Sequence, residues 1–305
     1  MKQYYVMDMG GTFVKYALMN ENYEILEQGK YPSITSDLDS FLKSVDENIE
    51  KYKGQFEGIA VSLPGRIDTK TGIAHNGGAF AFFQDTPFAQ ILEEKYGVPV
   101  TLGNDGKCAA KAEAEKGALK DVSNGAVMII GTGIGGGIVL DHKVLMGTQA
   151  AAGEFSYIVS DFEGFTKGSF KDFSAFEYTW SSTCSSLGLM RDYASRKGED
   201  PSKYNGVTFF EAYDNGDPDA IAALDHFGKL VASGIFCLQS ILDLQRVAIG
   251  GGISARKEVT DAVRENLIPH FDMPFIPFGV PEIVTCEFGN DANLLGALGF
   301  HLERI

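Results

Sequence analysis

The chain has 305 residues, a formal net charge of -15 and 44% hydrophobic residues. This length allows about two domains of ordinary size, and the composition is that of a globular protein, which excludes the disordered and fibrous classes. The acidic balance argues against a nucleic-acid surface, which needs clustered Lys and Arg side chains to neutralise phosphates.

The sequence shows neither a membrane anchor nor a disulfide framework. No apolar run approaches the ~18 residues of a membrane span, and no basic-then-apolar signal peptide opens the chain, so we expect a cytoplasmic protein. The four cysteines, Cys108, Cys184, Cys237 and Cys286, form no CxxC pair. We therefore expect free, mostly buried thiols and neither a zinc ribbon nor a redox dithiol.

Three β-rich runs open the chain and predict an antiparallel meander: residues 2–8, 13–19 and 23–29. Turns at Gly10-Gly11 and Asn20-Glu21-Asn22 separate them. A helix follows, with Ser36 as its N-cap, an apolar face from Leu38 to Tyr52 and an end at Gly54.

The next part of the chain alternates strands and helices. We expect a strand over residues 58–62, a helix over 87–96 and a strand over 99–102. Asn104-Asp105 then opens an alanine-rich helix that ends near Gly117.

The opening pattern recurs near residue 126. Residues 126–130 predict a strand, Gly131–Gly137 a glycine loop, and residues 138–140 a second strand, which turns at Asp141-His142-Lys143 into a third. A strand, a Gly/Thr loop, a strand, a turn and a strand therefore occur twice. Such a repeat suggests two related domains that face each other.

The last third of the chain contains further helices and a third glycine run. Residues 160–186, rich in Phe, Ser and Gly, predict an irregular segment that acts as a lid or an interface. A long helix begins at Asp217-Pro218 and has Ile221 on its buried side. A strand over residues 246–249 leads into Gly250-Gly251-Gly252 and a helix.

The three glycine runs differ in what they imply. Gly10-Gly11-Thr12 alone fits an ordinary hairpin turn as well as a phosphate cradle. Gly131–Gly137 holds five glycines and a threonine, and because so many glycines cost ordering entropy, we expect its backbone to approach a ligand. Consecutive N–H groups can point at an anion there, and the Thr hydroxyl adds a donor. Gly250–Gly252 fits either close helix–strand packing or a platform for an adenine-ribose group.

Six motifs stand in order along the chain: Asp8-Met9-Gly10-Gly11-Thr12 with Lys15, Pro64-Gly65-Arg66-Ile67-Asp68, Gly103-Asn104-Asp105, Gly131–Gly136, Ala152-Gly153-Glu154 and Ile249–Gly252. Together they resemble the ROK (repressor, open reading frame, kinase) family of actin-like sugar kinases. The resemblance implies an α/β, two-lobed RNase H-like (actin-like ATPase) fold, with a mixed sheet flanked by helices in each lobe and a cleft between the lobes. It assigns residues 1–115 to the N-terminal lobe, 116–289 to the C-terminal lobe and 290–305 to a helix that packs back on the N-terminal lobe.

The resemblance also implies that ATP and Mg²⁺ are bound. Its nucleotide-binding residues, given by the first, second and third glycine motifs, are Gly10, Gly11, Thr12, Lys15, Gly131, Thr132, Gly133, Gly135, Gly250, Gly251 and Gly252. Asp8 is implied to bind the nucleotide as well and to help hold the magnesium shell.

Asp105 matches the family's catalytic base, which takes the sugar hydroxyl proton. Asn-Asp before an Ala-rich helix is also what N-capping requires. The same dipeptide recurs at Asn290-Asp291, where we expect a cap, so the dipeptide alone decides nothing. A helix N-terminus would keep the Asp105 carboxylate ionised, as a base requires.

The implied sugar contacts are Gly65, Gly77, Asn104, Asp105, Glu154 and Tyr157. Taken alone, Glu154 also fits a solvated loop acid. Many family members follow this glutamate with Gly-His and a Cys-rich stretch that bind a structural zinc. Here Phe155-Ser156-Tyr157 follows, without a Cys cluster, so we expect no structural zinc.

This pattern looks like the zinc-free β-glucoside kinase branch, whose members phosphorylate the 6-hydroxyl of a glucosyl unit in a β-linked disaccharide. N-acetylmannosamine kinase and glucokinase are the alternatives. A repressor is disfavoured because the first phosphate motif begins at Asp8 and leaves no room for a DNA-binding domain; a catalytically silent sugar-binding protein stays open. The resemblance further implies a homodimer that binds a small-molecule sugar and neither nucleic acid nor membrane.

Overall fold

The computed structural model describes residues 1–272 and 274–305. The chain divides into two compact units. Unit 1 comprises Met1–Gly117, Lys143–Ala152 and Asn290–Ile305. Unit 2 comprises Ala118–His142 and Gly153–Gly289.

The strands in the described residues are β1 (Gln3–Met9), β2 (Phe13–Asn20), β3 (Ile25–Pro32), β4 (Ile59–Leu63), β5 (Ile67–Asp68), β6 (Ile73–Asn76), β7 (Gln84–Thr86), β8 (Val100–Asn104), β9 (Gly125–Ile130), β10 (Ile134–Leu140), β11 (Lys143–Val144), β12 (Arg246–Gly250) and β13 (Glu282–Thr285). The α-helices are α1 (Leu38–Ile49), α2 (Phe88–Tyr96), α3 (Asp105–Glu115), α4 (Phe162–Lys167), α5 (Trp180–Thr183), α6 (Ser186–Lys197), α7 (Gly206–Asp214), α8 (Pro218–Leu242), α9 (Lys257–Leu267) and α10 (Ala292–Arg304). Short 3₁₀ turns occupy Glu50–Tyr52, Phe155–Tyr157, Ser174–Tyr178, Pro201–Lys203, Gly252–Ala255, Ile268–Phe271 and Gly289–Asp291.

The main sheet of unit 1 has the strand order β3-β2-β1-β4-β8. The strands β1, β2 and β3 are antiparallel, which confirms the predicted meander, whereas β4 lies parallel to β1 and β8 parallel to β4. This register places Asp8 opposite Lys15 on one side and opposite Ser62 on the other. The ends of three strands therefore meet beside the first glycine turn.

Unit 2 repeats this arrangement. Its sheet has the order β10-β9-β12-β13, with β10 antiparallel to β9, and with β12 parallel to both β9 and β13. The repeat that the sequence predicts is therefore confirmed, and so is the α/β fold class with a mixed sheet in each half. Gly135, Gly136 and Gly137 belong to β10, so the glycine loop is shorter than predicted and covers Gly131–Gly133.

The core of unit 1 is largely aromatic on the side of α1 and α2, where the rings of Phe41, Phe80, Phe83 and Phe88 contact one another. The helix α10 packs against α3 and against the strands β1, β4 and β8. A Cβ atom at Gly296 would lie 1.7 Å from the carbonyl oxygen of Cys108, so the close approach of α10 to α3 requires glycine there.

Two local predictions are wrong. The N-cap of α1 is Asp37 and not Ser36: Asp37 Oδ1 accepts a 2.8 Å bond from the Ser40 N–H, while Ser36 Oγ donates to the other Asp37 oxygen. A carboxylate is the stronger acceptor, so it takes the capping position. In α8, Ile221 is 46% exposed, because the buried stripe begins at Ala220.

The helix α8 also corrects the expectation that no apolar run is long enough to span a membrane. By length and hydropathy it qualifies, with a mean hydropathy of 1.4 over 18 residues, but 50% of that window is buried. It packs against α6, α7 and α9. A buried core helix has the same composition, so this is a weak indication of a membrane span.

The segment predicted to be irregular, residues 160–186, is instead a compact run of short helices containing α4 and α5. A bridge between Val159 and Thr179 closes its base, where the Trp180 N–H donates to the Ile158 carbonyl at 2.8 Å. We call residues 160–178 the flap. Local composition underestimated its order because Trp180, buried against α8, anchors it through a tertiary contact.

Candidate functional site

Asp8 lies near the end of β1 and is 8% exposed. Its Oδ1 accepts hydrogen bonds from Ser62 Oγ and from Asn293 Nδ2, each at 3.0 Å, and Lys15 Nζ lies 4.0 Å from Oδ2. Burial raises the pKa of the Asp8 carboxyl, while the bond from Asn293, the charge of Lys15 and the bond from Ser62 lower it. The donors and the cation therefore support an ionised carboxylate at a site that would otherwise favour the neutral form.

The first glycine turn, Gly10–Thr12, joins β1 to β2 and is partly solvent-exposed. The Gly10 N–H donates to the Phe13 carbonyl, and Ser33 binds the Gly10 and Thr12 carbonyls. Within the described residues, the N–H groups of Gly11 and Thr12 donate no hydrogen bond. Ser33 thus satisfies two carbonyls of the turn, while two of its N–H groups remain for an anion.

A second cluster in unit 1 joins Gly65, Asn104 and Asp105. Asn104 Nδ2 donates to the Gly65 carbonyl and to Asp105 Oδ1, both at 2.9 Å. Asn104 Oδ1 accepts the Lys107 N–H at 3.1 Å and so caps α3. Asp105 is the first residue of the helix rather than its cap. Its Oδ1 accepts a hydrogen bond from the Gly106 N–H at 2.8 Å.

Close packing requires glycine at two positions of the implied sugar site. Gly65 has φ +96°, and a Cβ there would lie 2.4 Å from Asn76 Oδ1. Gly77 is buried, and a Cβ would lie 2.5 Å from Phe83. Gly65 therefore lets the loop after β4 approach the end of β6 closely, and Gly77 lets the loop after β6 fold back on Phe83.

The second glycine loop, Gly131–Gly133, joins β9 to β10 in unit 2. The Gly131 carbonyl accepts bonds from the Ser186 N–H at 3.0 Å and from Ser186 Oγ at 2.7 Å. These two bonds tie the loop to the first residue of α6. Thr132 is exposed at the loop's tip.

The third glycine loop follows β12, and its glycines differ in how closely they are packed. Gly251 has φ +99°, and a Cβ there would lie 2.1 Å from the Ile130 carbonyl oxygen, so this glycine is needed for packing. Around Gly252 nothing in the described residues lies within 4 Å of an added Cβ. The Gly252 position therefore stays accessible.

A cavity of about 940 Å³ in unit 2 joins the second and third loops. Gly131, Thr132 and Gly252 line it, together with Phe210 on α7 and Arg256. We call it the loop cavity. Phe210, Asp214 and Arg256 were not predicted; the sequence signal that could have found Arg256 is its position four residues after the third loop.

Arg256 links α7 to α9 at one side of the loop cavity. Its Nη1 and Nη2 donate to the two carboxylate oxygens of Asp214 at 3.0 and 2.6 Å, and Nε donates to Glu258 at 3.0 Å. The guanidinium lies 4.6 Å from the centre of the Phe210 ring. The hydrogen bonds to Asp214 and Glu258 raise the pKa of Arg256, so its guanidinium stays protonated and paired with these two carboxylates.

The turn that follows Glu154 is fixed to β10. Phe155 is 2% exposed and meets Trp180 edge-on, with ring centres 6.3 Å apart. Ser156 Oγ donates to the Ile134 carbonyl at 2.7 Å. Tyr157 is 58% exposed and contacts Phe176 of the flap, so the structure places Glu154 and Tyr157 next to the strand that leaves the second loop.

Not every implied nucleotide residue reaches the loop cavity. Gly133 lines a different cavity, described below, and Gly135 lies inside β10. Among the described residues, no three His, Cys, Asp or Glu side chains could together hold a metal ion. Mg²⁺ needs only one or two protein carboxylates when phosphate oxygens supply the other ligands, and Asp8 fits that requirement.

The two sheets of like topology, each with a glycine turn after its first strand, define the actin-like ATPase fold. A model of the ROK family matches residues 4–303. The chain belongs to the ROK family, which confirms the resemblance on which the sequence predictions rest.

Similar proteins agree with this assignment. A β-glucoside kinase of Klebsiella pneumoniae is 31% identical, with 98% of this chain and 95% of that protein covered. An N-acetyl-D-glucosamine kinase of Aliivibrio salmonicida is 29% identical, with 98% and 100% covered. A solved Listeria monocytogenes protein, proposed to be an N-acetylmannosamine kinase, has a TM-score of 0.84 and 30% identity, with 99% and 100% covered. The names of these relatives agree with the predicted enzyme class, a carbohydrate kinase.

Proposed function

We propose that the protein is an ATP-dependent sugar kinase that transfers the γ-phosphoryl group to the 6-hydroxyl of the glucosyl unit of a β-glucoside. The observation that carries the proposal is the loop cavity, because it brings the second and third glycine loops to one space. The full-length similarity to a β-glucoside kinase supports the choice of substrate.

The loop cavity suits a nucleoside triphosphate. Its volume of about 940 Å³ lies in the usual range for ligand pockets. Phe210 and the aliphatic Val207 supply apolar surface for a purine, and Gly131 and Thr132 supply N–H and hydroxyl donors for phosphate oxygens.

In unit 1, Asp8 and Lys15 carry the charges that a metal-bound triphosphate requires. Asp8 would join the shell of the Mg²⁺ ion, and Lys15 Nζ, which also donates to the Asn290 carbonyl at 3.2 Å, would face phosphate oxygens. The magnesium ion supplies charge neutralisation to the phosphates when it is bound. The Gly11 and Thr12 N–H groups add neutral donors.

Asp105 acts as the general base in this proposal. It takes the proton of the sugar 6-hydroxyl while that oxygen bonds to the γ-phosphorus and the bond from phosphorus to the β–γ bridging oxygen breaks, releasing ADP. Two features hold the carboxylate ready: the bond from Asn104 Nδ2 orients it, and the N-terminus of α3 stabilises its charge. Asn104, Glu154, Tyr157 and the backbone at Gly65 and Gly77 would contact the sugar.

The relatives favour one second candidate, an N-acetylhexosamine kinase. A coupled ADP assay of the purified protein with MgATP and, in turn, cellobiose, gentiobiose, glucose, N-acetylglucosamine, N-acetylmannosamine and fructose separates the two. We expect the highest kcat/KM with a β-linked disaccharide. A preference for an N-acetylated sugar would support the second candidate. If no sugar leads to ADP release, the result would support a catalytically silent sugar-binding protein.

We propose further that the protein is a homodimer acting in the cytoplasm, where ATP is available. Unit 2 carries exposed apolar side chains that a second copy would cover: Ile241, Ile268, Phe275 and Val280. Sedimentation velocity measures the mass directly, and a monomer at micromolar concentration would contradict the dimer.

A further inference from the structure

A second cavity, of about 700 Å³, lies in unit 2 between the flap and α6. Its lining includes Thr132, Gly133, Phe176, Glu177, Ser181 and Arg191. We call it the flap cavity. Thr132 also lines the loop cavity, so the second glycine loop borders both spaces.

The chemistry of the flap cavity is that of a carbohydrate site. It combines an aromatic ring, a carboxylate, a guanidinium and a serine hydroxyl, which can meet the apolar face and the hydroxyl groups of a pyranose ring. Pockets with an apolar lining and a few convergent polar groups are the usual form of small-molecule sites.

The two charged side chains of the flap cavity have no bonding partner among the described residues. In the part of the chain that the structure describes, the side chains of Arg191 and Glu177 form no ion pair and no side-chain hydrogen bond. By contrast, Arg196 on the same helix binds Asp192 at 3.2 Å. In a chain of net charge -15, an arginine without a carboxylate partner is available to a ligand.

Phe176 is held in place before any ligand arrives. Its carbonyl accepts bonds from the Thr179 N–H at 3.1 Å and from Thr179 Oγ1 at 2.8 Å. The Tyr157 ring meets its ring at a centre-to-centre distance of 6.3 Å. At the flap's base, a Cβ added to Gly234 would lie 1.7 Å from the Trp180 ring, which shows how closely Trp180 seats on α8. Such preorganisation reduces the entropy cost of binding.

We propose that the flap cavity binds the aglycone sugar ring of a β-glucoside, with Phe176 stacking on the ring, Arg191 donating to its hydroxyl oxygens and Glu177 accepting from its hydroxyl groups. The inference rests on the proposed function and adds to it the residues that select a disaccharide over glucose. The connection to the reaction runs through the fixed turn at Glu154 and Tyr157, whose ring contacts Phe176, and through Gly133, which belongs to the second loop.

The test uses the variants Phe176→Ala and Arg191→Ala, with Arg196→Ala as the matched control. We expect each cavity variant to lower kcat/KM for cellobiose or gentiobiose about tenfold, as the loss of one charged hydrogen bond or one stacking contact implies. Arg191→Ala should leave kcat/KM for glucose and KM for ATP unchanged, whereas Phe176→Ala also removes the ring that packs on Tyr157. The control should match the wild type with every substrate. Because Arg191 is exposed, its variant tests the proposal even if Phe176→Ala fails to fold.

A binding measurement separates this inference from the kinase proposal. Trp180 is the only tryptophan in the sequence and directly precedes Ser181 of the cavity, so its fluorescence reports on sugars there without nucleotide. We expect cellobiose to change the emission of the wild type and of Arg196→Ala, and about tenfold more cellobiose to be needed for Arg191→Ala. A cellobiose signal without any ADP release would uphold the site and overturn the kinase proposal. Equal losses for glucose and cellobiose in Arg191→Ala, or unchanged variants in an active enzyme, would overturn the site.

Discussion

Asp8 and Asn293 are 285 residues apart in the chain, yet Asn293 Nδ2 donates a 3.0 Å hydrogen bond to Asp8 Oδ1. The first turn of α10 therefore completes the surroundings of the residue that we propose as the magnesium contact. Lys15 is held by the same segment, through the Asn290 carbonyl. The C-terminal helix thus acts on the site as well as on the core.

The first prediction concerns the pH dependence of activity in the variant Asn293→Leu. Burial raises the pKa of Asp8, and the bond from Asn293 is the largest effect that lowers it. Without this donor the pKa rises further, so Asp8 is protonated at a higher pH and the acidic limb of kcat/KM for MgATP moves to higher pH. Asn48→Leu, in α1, is the control. An unchanged acidic limb in Asn293→Leu would show that Asp8 does not need to be ionised.

The second prediction concerns the base. Asp105→Asn keeps the size and the helix position but cannot accept a proton, so we expect kcat to fall by about 10²- to 10⁴-fold while ATP binding is retained. Asp291→Asn is the matched control, because it changes the other Asn-Asp dipeptide. Asp291 lies at the N-cap of α10, as predicted, although its side chain makes no capping hydrogen bond in the described residues. Calorimetry measures ATP binding. An Asp105→Asn enzyme near full activity would mean that another group is the base.

The third prediction compares two neighbouring glycines. In Gly251→Ala the new Cβ would lie 2.1 Å from the Ile130 carbonyl oxygen, and the residue would keep the backbone angle φ +99° of Gly251. We therefore expect the unfolding free energy to fall by ~1–3 kcal/mol. In Gly252→Ala the added methyl meets nothing within 4 Å among the described residues, so the stability should stay near that of the wild type. Urea denaturation measures both. Equal stability of the two variants would contradict the described packing of the third loop.

The fourth prediction concerns acid stability. His301 is fully buried, and burial, with the charge of Arg304, lowers its pKa from 6.5 to about 4. Below pH 6.5 the unfolded chain binds a proton that the folded chain rejects, so the contribution of neutral His301 to stability is complete above pH 6.5 and is lost as the pH falls towards 4. The loss is at most ~3 kcal/mol.

The variant His301→Gln isolates this effect. Its unfolding free energy should fall less between pH 7 and pH 4.5 than that of the wild type. Urea titrations at both pH values measure the difference. Parallel slopes for His301→Gln and the wild type would exclude His301 as the titrating group.

The order of the strands and helices could be predicted because the signals are local. Apolar periodicity and the glycine and proline breaks lie within a few residues of the elements they define. The predictions failed where a distant contact overrides local preference: Gly135–Gly137 join β10 because β9 pairs with them, and residues 160–186 are ordered because Trp180 is buried against α8.

The residues of the candidate site also divide into those that local sequence predicts and those that only distant contacts define. Motifs contiguous in sequence, such as Gly10–Thr12 and Asn104-Asp105, could be found from their residue types. Ser62 and Asn293 could not, because an ordinary serine or asparagine gains its role only from the side chain that the fold brings to it.

The return of α10 to unit 1 has a consequence for how the protein is made. On a ribosome the N-terminal residues emerge first, but unit 1 cannot close its core until residues 292–304, which supply α10, have been synthesised. A nascent chain that stops early therefore lacks the partner of Asp8 and the buried His301 together. Incomplete copies would be left unfolded and inactive, and quality-control proteases could remove them before they bind nucleotide.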